Sequence, residues 1–285
     1  MPARPPLDAR LLQILFLGSF LTIGVLVRDF SVQPIQIAAT FGSALITQAF
    51  WLRCLHLRHI GYLSAIVTSF GLSILVRADS AWVHPLIAAL AISSKFVLRV
   101  DERHVFNPAN LGAVLAAWVL PGAWLSPGQW GQDVLMAGWF IALGLVVTRR
   151  SFRLDIGLCF LGFWAAALTL RVLWLGQPWP VLAHQLDNGA LLLFSFFMIT
   201  DPLTTPSRPS ARVAYAALVA ATAFAWQYLL FRPNALVLAL FVLSPLVPII
   251  NRQWPGPVFQ WRTPALPDCP RPASADSRIS SRSHR

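Results

Sequence analysis

Apolar residues fill almost the whole chain in blocks of about 20, parted by short turns rich in Pro, Arg and Trp. A helix that crosses a bilayer needs about 20 mainly apolar residues, with roughly 17 to 25 the working range. Ten intervals meet that requirement, with approximate edges 11–27, 32–52, 61–77, 81–99, 107–121, 132–148, 154–175, 178–200, 211–231 and 233–250. The fifth opens on Asn107-Pro108-Ala109-Asn110 and reads as a half-helix entered from a broken segment. Non-helical backbone at membrane depth is tolerated only where protein or a cavity shelters it.

Charge placement orients these intervals. With the N-terminus inside, ten crossings bring the C-terminus back to the same side, and 17 of the 22 Lys and Arg then fall on the cytoplasmic face against three (Arg28, Arg77, Arg232) outside. That asymmetry follows the positive-inside rule. Trp82, Trp124, Trp130, Trp174 and Trp179 gather at the outer boundary, where indoles settle. The organisation is therefore a cytoplasmic N-terminus (1–10), a transmembrane domain (11–250) and a Pro-, Ser- and Arg-rich tail (251–285) read as disordered and cytoplasmic. The first apolar run has no A-x-A site at its end and reads as a retained span.

Composition settles the class. Length alone, 285 residues, allows one or two soluble domains, but 56% of residues are hydrophobic and 12% charged, with a mean hydropathy of +0.63. A soluble protein of this size has no means of hiding that much apolar surface. The net charge of +11 does not point to nucleic acid, because no basic face carries aromatics for stacking bases. Cys54, Cys159 and Cys269 share no metal- or cluster-binding spacing. No nucleophile elbow, HExxH, Walker loop or GxGxxG is present.

An internal echo runs through the chain. Val105-Phe106-Asn107-Pro108-Ala109-Asn110-Leu111 returns as Leu230-Phe231-Arg232-Pro233-Asn234-Ala235-Leu236, and the acidic turns at Asp79 and Asp201 keep a similar spacing. The topology puts the members of each pair on opposite sides, as two inverted five-span halves would. Inverted repeats place a functional site near the midplane between broken helices.

Few polar residues lie within spans. Lys95 and Arg171 are near span ends and can snorkel, and His84 sits close enough to the boundary to be wetted. The eighth span differs: His184 and Asp187 share one helical face, Asn188 follows, and Asp187 lies roughly 13 Å in from Trp179. A carboxylate there needs a cavity, an ion or a partner such as Arg171. Thr200-Asp201-Pro202 forms either a plain cytoplasmic turn or part of a site, and Asn107 and Asn110 either cap a helix entered at Pro108 or contact a ligand.

Phe106-Asn107-Pro108-Ala109 resembles the FNPA signature of the NqrB/RnfD family, and Phe196-Phe197-Met198-Ile199-Thr200-Asp201-Pro202-Leu203-Thr204 resembles its FF-x-x-TDP-V/L-T signature. The family comprises membrane subunits of sodium-pumping NADH:quinone reductase and of Rnf-type electron-transport complexes. The resemblance implies an all-α polytopic fold, about ten transmembrane helices in two inverted five-helix repeats, similar to urea transporters. It also implies a bacterial inner-membrane location, partner subunits of a redox complex, and electron relay through flavin while an ion crosses. In electron-relaying members FMN is esterified to a Thr in an Asp-Gly-x-Ser-x-Ala-Thr segment. The corresponding loop here, residues 121–132, has no Thr, and a second family segment appears as Asn188-Gly189-Ala190-Leu191, also without the hydroxyl. Covalent FMN is not expected, which leaves non-covalent FMN or riboflavin, with Asn107, Pro108, Asn110, Thr200 and Asp201 as the expected cofactor-binding set. His184, Asp187 and Asn188 are the expected ion pathway. The competing class is a stand-alone channel or carrier for a small polar solute on the same scaffold, and a third is a scaffold subunit with no transport of its own.

Overall fold

The computed structural model describes residues 8–27, 30–57, 60–126, 134–257 and 259. Most of them are helical. The first half contains α1 (Ala9–Val27), α2 (Pro34–Cys54), α3 (Leu63–Leu75), α4 (Val83–Val97) and α5 (Pro108–Val119), with short strands β1 (Val76–Ala78), β2 (Arg99–Val100), β3 (Arg103–His104) and β4 (Ala123–Leu125). The second half contains α6 (Val134–Arg150), α7 (Leu154–Trp174), α8 (Trp179–Leu186), α9 (Gly189–Leu193), α10 (Pro209–Phe224), α11 (Ala235–Leu243) and α12 (Leu246–Gln253). Two π turns extend α9 (Phe194–Met198) and α10 (Ala225–Leu229).

Helix occupies each of the ten predicted intervals, but several are interrupted. Among the described residues α1, α2 and α7 suffice by length and apolar composition to cross a bilayer, and five segments do so if α8 with α9 and α11 with α12 each count as one, both pairs being bent by 49°. α3, α4 and α5 are apolar but shorter. Large apolar side chains cover the outside: Leu15, Ile46 and Leu170 are 71%, 71% and 68% exposed, a surface suited to lipid rather than water. Trp82, Trp174 and Trp179 are exposed at or beside helix ends and Trp124 in β4, while Trp130 lies outside the described residues.

The half-helix reading of α5 extends to α3. Both helices stop short and run into extended backbone, and β1 pairs antiparallel with β4, Val76 opposite Leu125 and Ala78 opposite Ala123. The ladder supplies partners for peptide groups released where helix ends inside an apolar body. Arg77, read as an outer-loop residue, is instead 1% exposed, and its Nη1 donates to the carbonyls of Ser73, Ile74 and Val76 at 2.9, 3.2 and 2.8 Å. A cation at a helix C-terminus both caps the last carbonyls and opposes the dipole. Its guanidinium also lies 5.3 Å from the ring centre of Phe30.

Packing follows a parallel pattern in the two halves: α2 lies against α4 as α7 lies against α10, and α4 against α5 as α10 against α11, while α1 with α6 and α5 with α11 join the halves. The α2–α4 seam is stitched by polar groups, Ser43 Oγ donating to the Pro85 carbonyl at 2.6 Å and Trp51 Nε1 to Ser93 Oγ at 3.0 Å. His84 is buried in this seam with Nδ1 3.2 Å from Thr40 Oγ1, contrary to the wetted position read from its place in the sequence, because the end of α4 is covered by α2. The π turn Phe194–Met198 fits between α6 and α7 through glycines. A Cβ at Gly157 would stand 2.6 Å from the Ser195 carbonyl oxygen, and one at Gly144 2.7 Å from the Phe196 ring. Small residues at such seams let helix backbones approach closely.

Gly157→Ala therefore has to push backbone rather than a flexible side chain. It is expected to destabilise the protein by about 1–3 kcal/mol, read as a lowered unfolding midpoint in detergent, whereas Gly162→Ala, inside α7 where a Cβ meets nothing within 4 Å, does not lower the midpoint.

Candidate functional site

The two sequence signatures, 90 residues apart along the chain, meet at one point. After α4 the β2–β3 hairpin (Arg99 opposite His104) turns through Asp101 and Glu102, both in the left-handed region with φ of 49° and 63°, and delivers the chain to Asn107. Asn107 Oδ1 accepts from the Asn110 backbone N–H at 3.1 Å, the N-cap bond of α5, and Pro108 takes the first helical position where no N–H is needed. The other end of the same amide serves the second signature: Asn107 Nδ2 lies 3.4 Å from Asp201 Oδ2 and 3.5 Å from the Met198 carbonyl. Capping and contact are thus both true of Asn107. His104 Nε2 approaches the same Asp201 oxygen at 3.3 Å, and Asp201 Oδ1 accepts from the Leu203 N–H at 3.1 Å. Burial alone would raise the Asp201 carboxyl, but the His104 ring and the hydrogen bonds from Leu203 and Thr204 hold it below the ordinary carboxylate value.

Residues 200–208 are not a plain turn, since most of the loop is buried. Three arginines hold it. Arg103 donates to Ser207 Oγ and to the Pro202 carbonyl, each at 2.9 Å; Arg153 donates to Thr205 Oγ1 at 3.0 Å; Arg212 bridges the Ser207 carbonyl at 2.9 Å and the Asp155 carboxylate at 2.6 Å. Burial, reinforced by the neighbouring Arg212, brings the Arg153 guanidinium down to about 10, so it stays charged at neutral pH. On the helix side of the loop the π turn ends with Thr200 Oγ1 donating to the Phe196 carbonyl at 2.6 Å. π turns inside helices recur at functional sites.

Beside Asp201 is a cavity of about 110 Å³ bounded by α1, α3, α4, the start of α5, α6 and the π turn of α9. Its polar lining includes Ser64, Thr68, Lys95, Asn107 and Asp201, with Phe196 and Phe197 on the apolar side. Lys95 does not snorkel to the boundary: its Nζ donates to Gln48 Oε1 at 2.9 Å and to Ser64 Oγ at 2.8 Å, tying α4 to α2 and α3. The cavity is well below the roughly 300 Å³ at which pockets for flavin-sized ligands begin. Non-covalent FMN or riboflavin does not fit it, and no step is assigned to one.

Of the residues singled out in sequence, Asn107, Pro108, Thr200 and Asp201 come together here. Asn110 is fully buried on the first turn of α5, and neither polar atom of its side chain has a hydrogen-bond partner among the described residues. His184, Asp187 and Asn188 stand apart, at the far end of the ten-residue segment of α9 and its π turn, about 15 Å away by helical rise. The expected single face is not formed: α8 ends at Leu186, Asp187 occupies its C-cap with ψ of 60°, and Asn188 Oδ1 accepts from the Ala190 N–H at 2.9 Å to start a new helix. Asn-Gly supplies both a capping side chain and a residue without Cβ, which favours a break over continuation. The alternative Arg171 pair is not made either, because that guanidinium lies 4.4 Å from the Tyr228 ring centre and donates to Gln177 Oε1 at 3.1 Å. His184 and Asn188 line a separate cavity of about 180 Å³ with Trp164, Gln185, Gln227 and Tyr228.

Fold and site together define a multi-pass helical membrane protein with a carboxylate held between two broken helices. Residues 122–259 match the NQR2, RnfD, RnfE family. An ion-translocating oxidoreductase complex subunit of Actinobacillus pleuropneumoniae serotype 5b (strain L20) is 26% identical over 113 residues, and its counterparts in serotype 3 (strain JL03) and serotype 7 (strain AP76) match to the same extent. Each alignment covers 39% of this chain and 32% of the relative, so the chain matches about a third of the length of these curated relatives. The second half of the chain is thus similar to the NQR2, RnfD, RnfE family. The matched region contains the second signature and not the first, which joins it only in space.

Asp201→Asn keeps the shape and removes the charge that His104, Leu203 and Thr204 favour. A loss of about 1–3 kcal/mol is expected at neutral pH. Because the folded pKa lies below the unfolded one, the native advantage is complete above the ordinary carboxylate range and disappears as pH falls through the folded value. Thermal unfolding of both proteins across that range checks the convergence.

Proposed function

We propose that the chain is a membrane subunit of an ion-translocating oxidoreductase complex of bacterial inner membranes, built from ten spans in two inverted halves with both termini cytoplasmic. The meeting of His104 and Asn107 with Asp201 carries this reading, because it puts an ionised, largely buried carboxylate in the wall of a cavity flanked by broken helices. A buried carboxylate inside a membrane bundle is a functional group by default, and broken helices with free backbone ends are where secondary transporters hold their ions. The parallel packing of α2 on α4 and α7 on α10 supports the two-halves reading. Partner subunits supply the redox chemistry; this chain supplies the route for the ion, with Asp201 and Lys95 facing the cavity and Asp187, half-buried at the α8 break, further along.

A stand-alone carrier or channel for a small polar solute is the second reading. It is favoured by the size of the cavity, room for three or four water-sized groups at roughly 30 Å³ each.

The test uses the complex with its co-purifying subunits in proteoliposomes. Asp201→Asn is expected to abolish electron-transfer-driven ion uptake while the complex still assembles, and Asp187→Asn to reduce it. Full uptake by assembled Asp201→Asn complex overturns the reading. Isolated chain that makes liposomes permeable to a small solute without any redox partner favours the second.

A further inference from the structure

A second polar cavity lies at the end of the bundle where the β2–β3 hairpin meets α12; it shares Arg103 and His104 with the site above but opens on the other side of the hairpin's contacts, toward α12. It is a cavity of about 210 Å³ walled by Arg103 and His104 from the hairpin, Thr204 and Ser207 from the 200–208 loop, and Asn251 and Arg252 from α12. We propose that this pocket binds the phosphate of an anionic phospholipid headgroup.

The donors outnumber the acceptors. Arg103 uses Nη1 and Nη2 on Ser207 and Pro202, and its Nε is buried with no acceptor among the described residues. Asn251 Oδ1 accepts from the Ser207 N–H at 2.8 Å, which leaves its NH₂ as a donor. The carboxylate in the lining is that of Asp101, and it is neutralised by Arg252 through contacts of 3.2 and 3.3 Å. That pair is open to solvent, 67% and 59% exposed, and a pair so placed is held by little free energy. The guanidinium of Arg252 can therefore turn to an incoming anion at small cost.

The pocket is too small for a drug-sized molecule, for which about 300 Å³ is the lower bound, yet large enough for a tetrahedral anion with some of its water. Its setting identifies the source of that anion. On α12 the exposed Leu246 and Ile249 fall on one helical stripe that continues toward the exposed Trp254 just past the helix end, and Arg252 follows on the pocket side. An indole and a cation at the end of such a helix set that end at the membrane interface. Basic pockets at the cytoplasmic ends of membrane helices receive anionic headgroups. The backbone at Gly256 closes the wall, since a Cβ there would stand 2.8 Å from Arg208 N and Ser207 C.

The experiment uses the full chain, delipidated in neutral detergent, with lipid binding followed by native mass spectrometry and thermal shift. Phosphatidylglycerol is expected to bind and raise the unfolding midpoint, and phosphatidylcholine of the same acyl chains is not. Arg252→Gln is expected to weaken phosphatidylglycerol binding about fivefold, the worth of one basic residue at an anionic surface. Asp101→Asn is the discriminating variant: it frees Arg252 and is expected to tighten binding, whereas a merely structural hairpin–α12 tie would be weakened by either change. Equal binding of the two lipids, or unchanged binding by Arg252→Gln, overturns the proposal. Equal stabilisation by inorganic phosphate at matched concentration overturns the lipid assignment in favour of a free anion. None of these outcomes depends on ion coupling.

Discussion

A helix that ends inside an apolar body leaves peptide groups with no water to turn to, and this constraint shapes the molecule more than any packing preference does. Each interruption comes with its own remedy. Where α3 and α5 stop, the extended backbone pairs as β1 and β4, and Arg77 collects three carbonyls at the end of α3. At the α8 break Asn188 caps the new helix. Where α11 bends into α12, Ser244 Oγ returns to the Leu240 carbonyl at 2.7 Å. The breaks are possible because the chain carries polar side chains at the few places where backbone needs them, in a sequence that is only 12% charged.

The same constraint explains why the candidate site holds so many cations. A buried loop of nine residues, 200–208, offers carbonyls that neither a strand nor a helix satisfies. Arg103, Arg153 and Arg212 reach it from three different elements. Guanidinium suits this task because it remains charged when partly buried and presents several donors in a fixed plane. The ring of positive charge then makes room for one negative group at low cost. Asp201 occupies that place, its charge felt by Arg103 and Arg153, while His104 and the donors of Leu203 and Thr204 keep it ionised.

Hydropathy made the helical intervals legible, because a side chain's preference for lipid is a local property. Partnership is not local, and this is where the sequence reading departed from the structure. Arg77, His84 and Lys95 all lie near predicted boundaries, so snorkelling or wetting was the economical reading for each. The structure instead covers them with α2 and α3 and gives them partners 31 to 47 positions away, or, for Arg77, the carbonyls just upstream. One local signal was available for Arg77: a cation directly after an apolar run that is too short for a full crossing is placed to cap it. For Asp187 the signal was Asn188-Gly189, a capping side chain followed by a residue without Cβ, which argues for a break rather than a shared helical face.

The site was legible as two motifs but not as one place. Asn107 and Asp201 belong to different halves and touch because α4 and the hairpin bring the start of α5 against the end of the π turn. An inverted arrangement of two halves gives that meeting a simple geometric cause. The half-helix of one repeat and the broken helix of the other would then point their ends at the same depth from opposite directions. Local chemistry differs between the halves, strands and Arg77 in the first against a π turn and Asn188 in the second, and such a difference would leave any internal echo in sequence faint. On the proposed two-halves reading, pseudo-symmetry would fix where the backbone breaks, since both halves would pack on each other there. It would leave free which side chains repair the break, and that freedom would let one side alone carry the carboxylate.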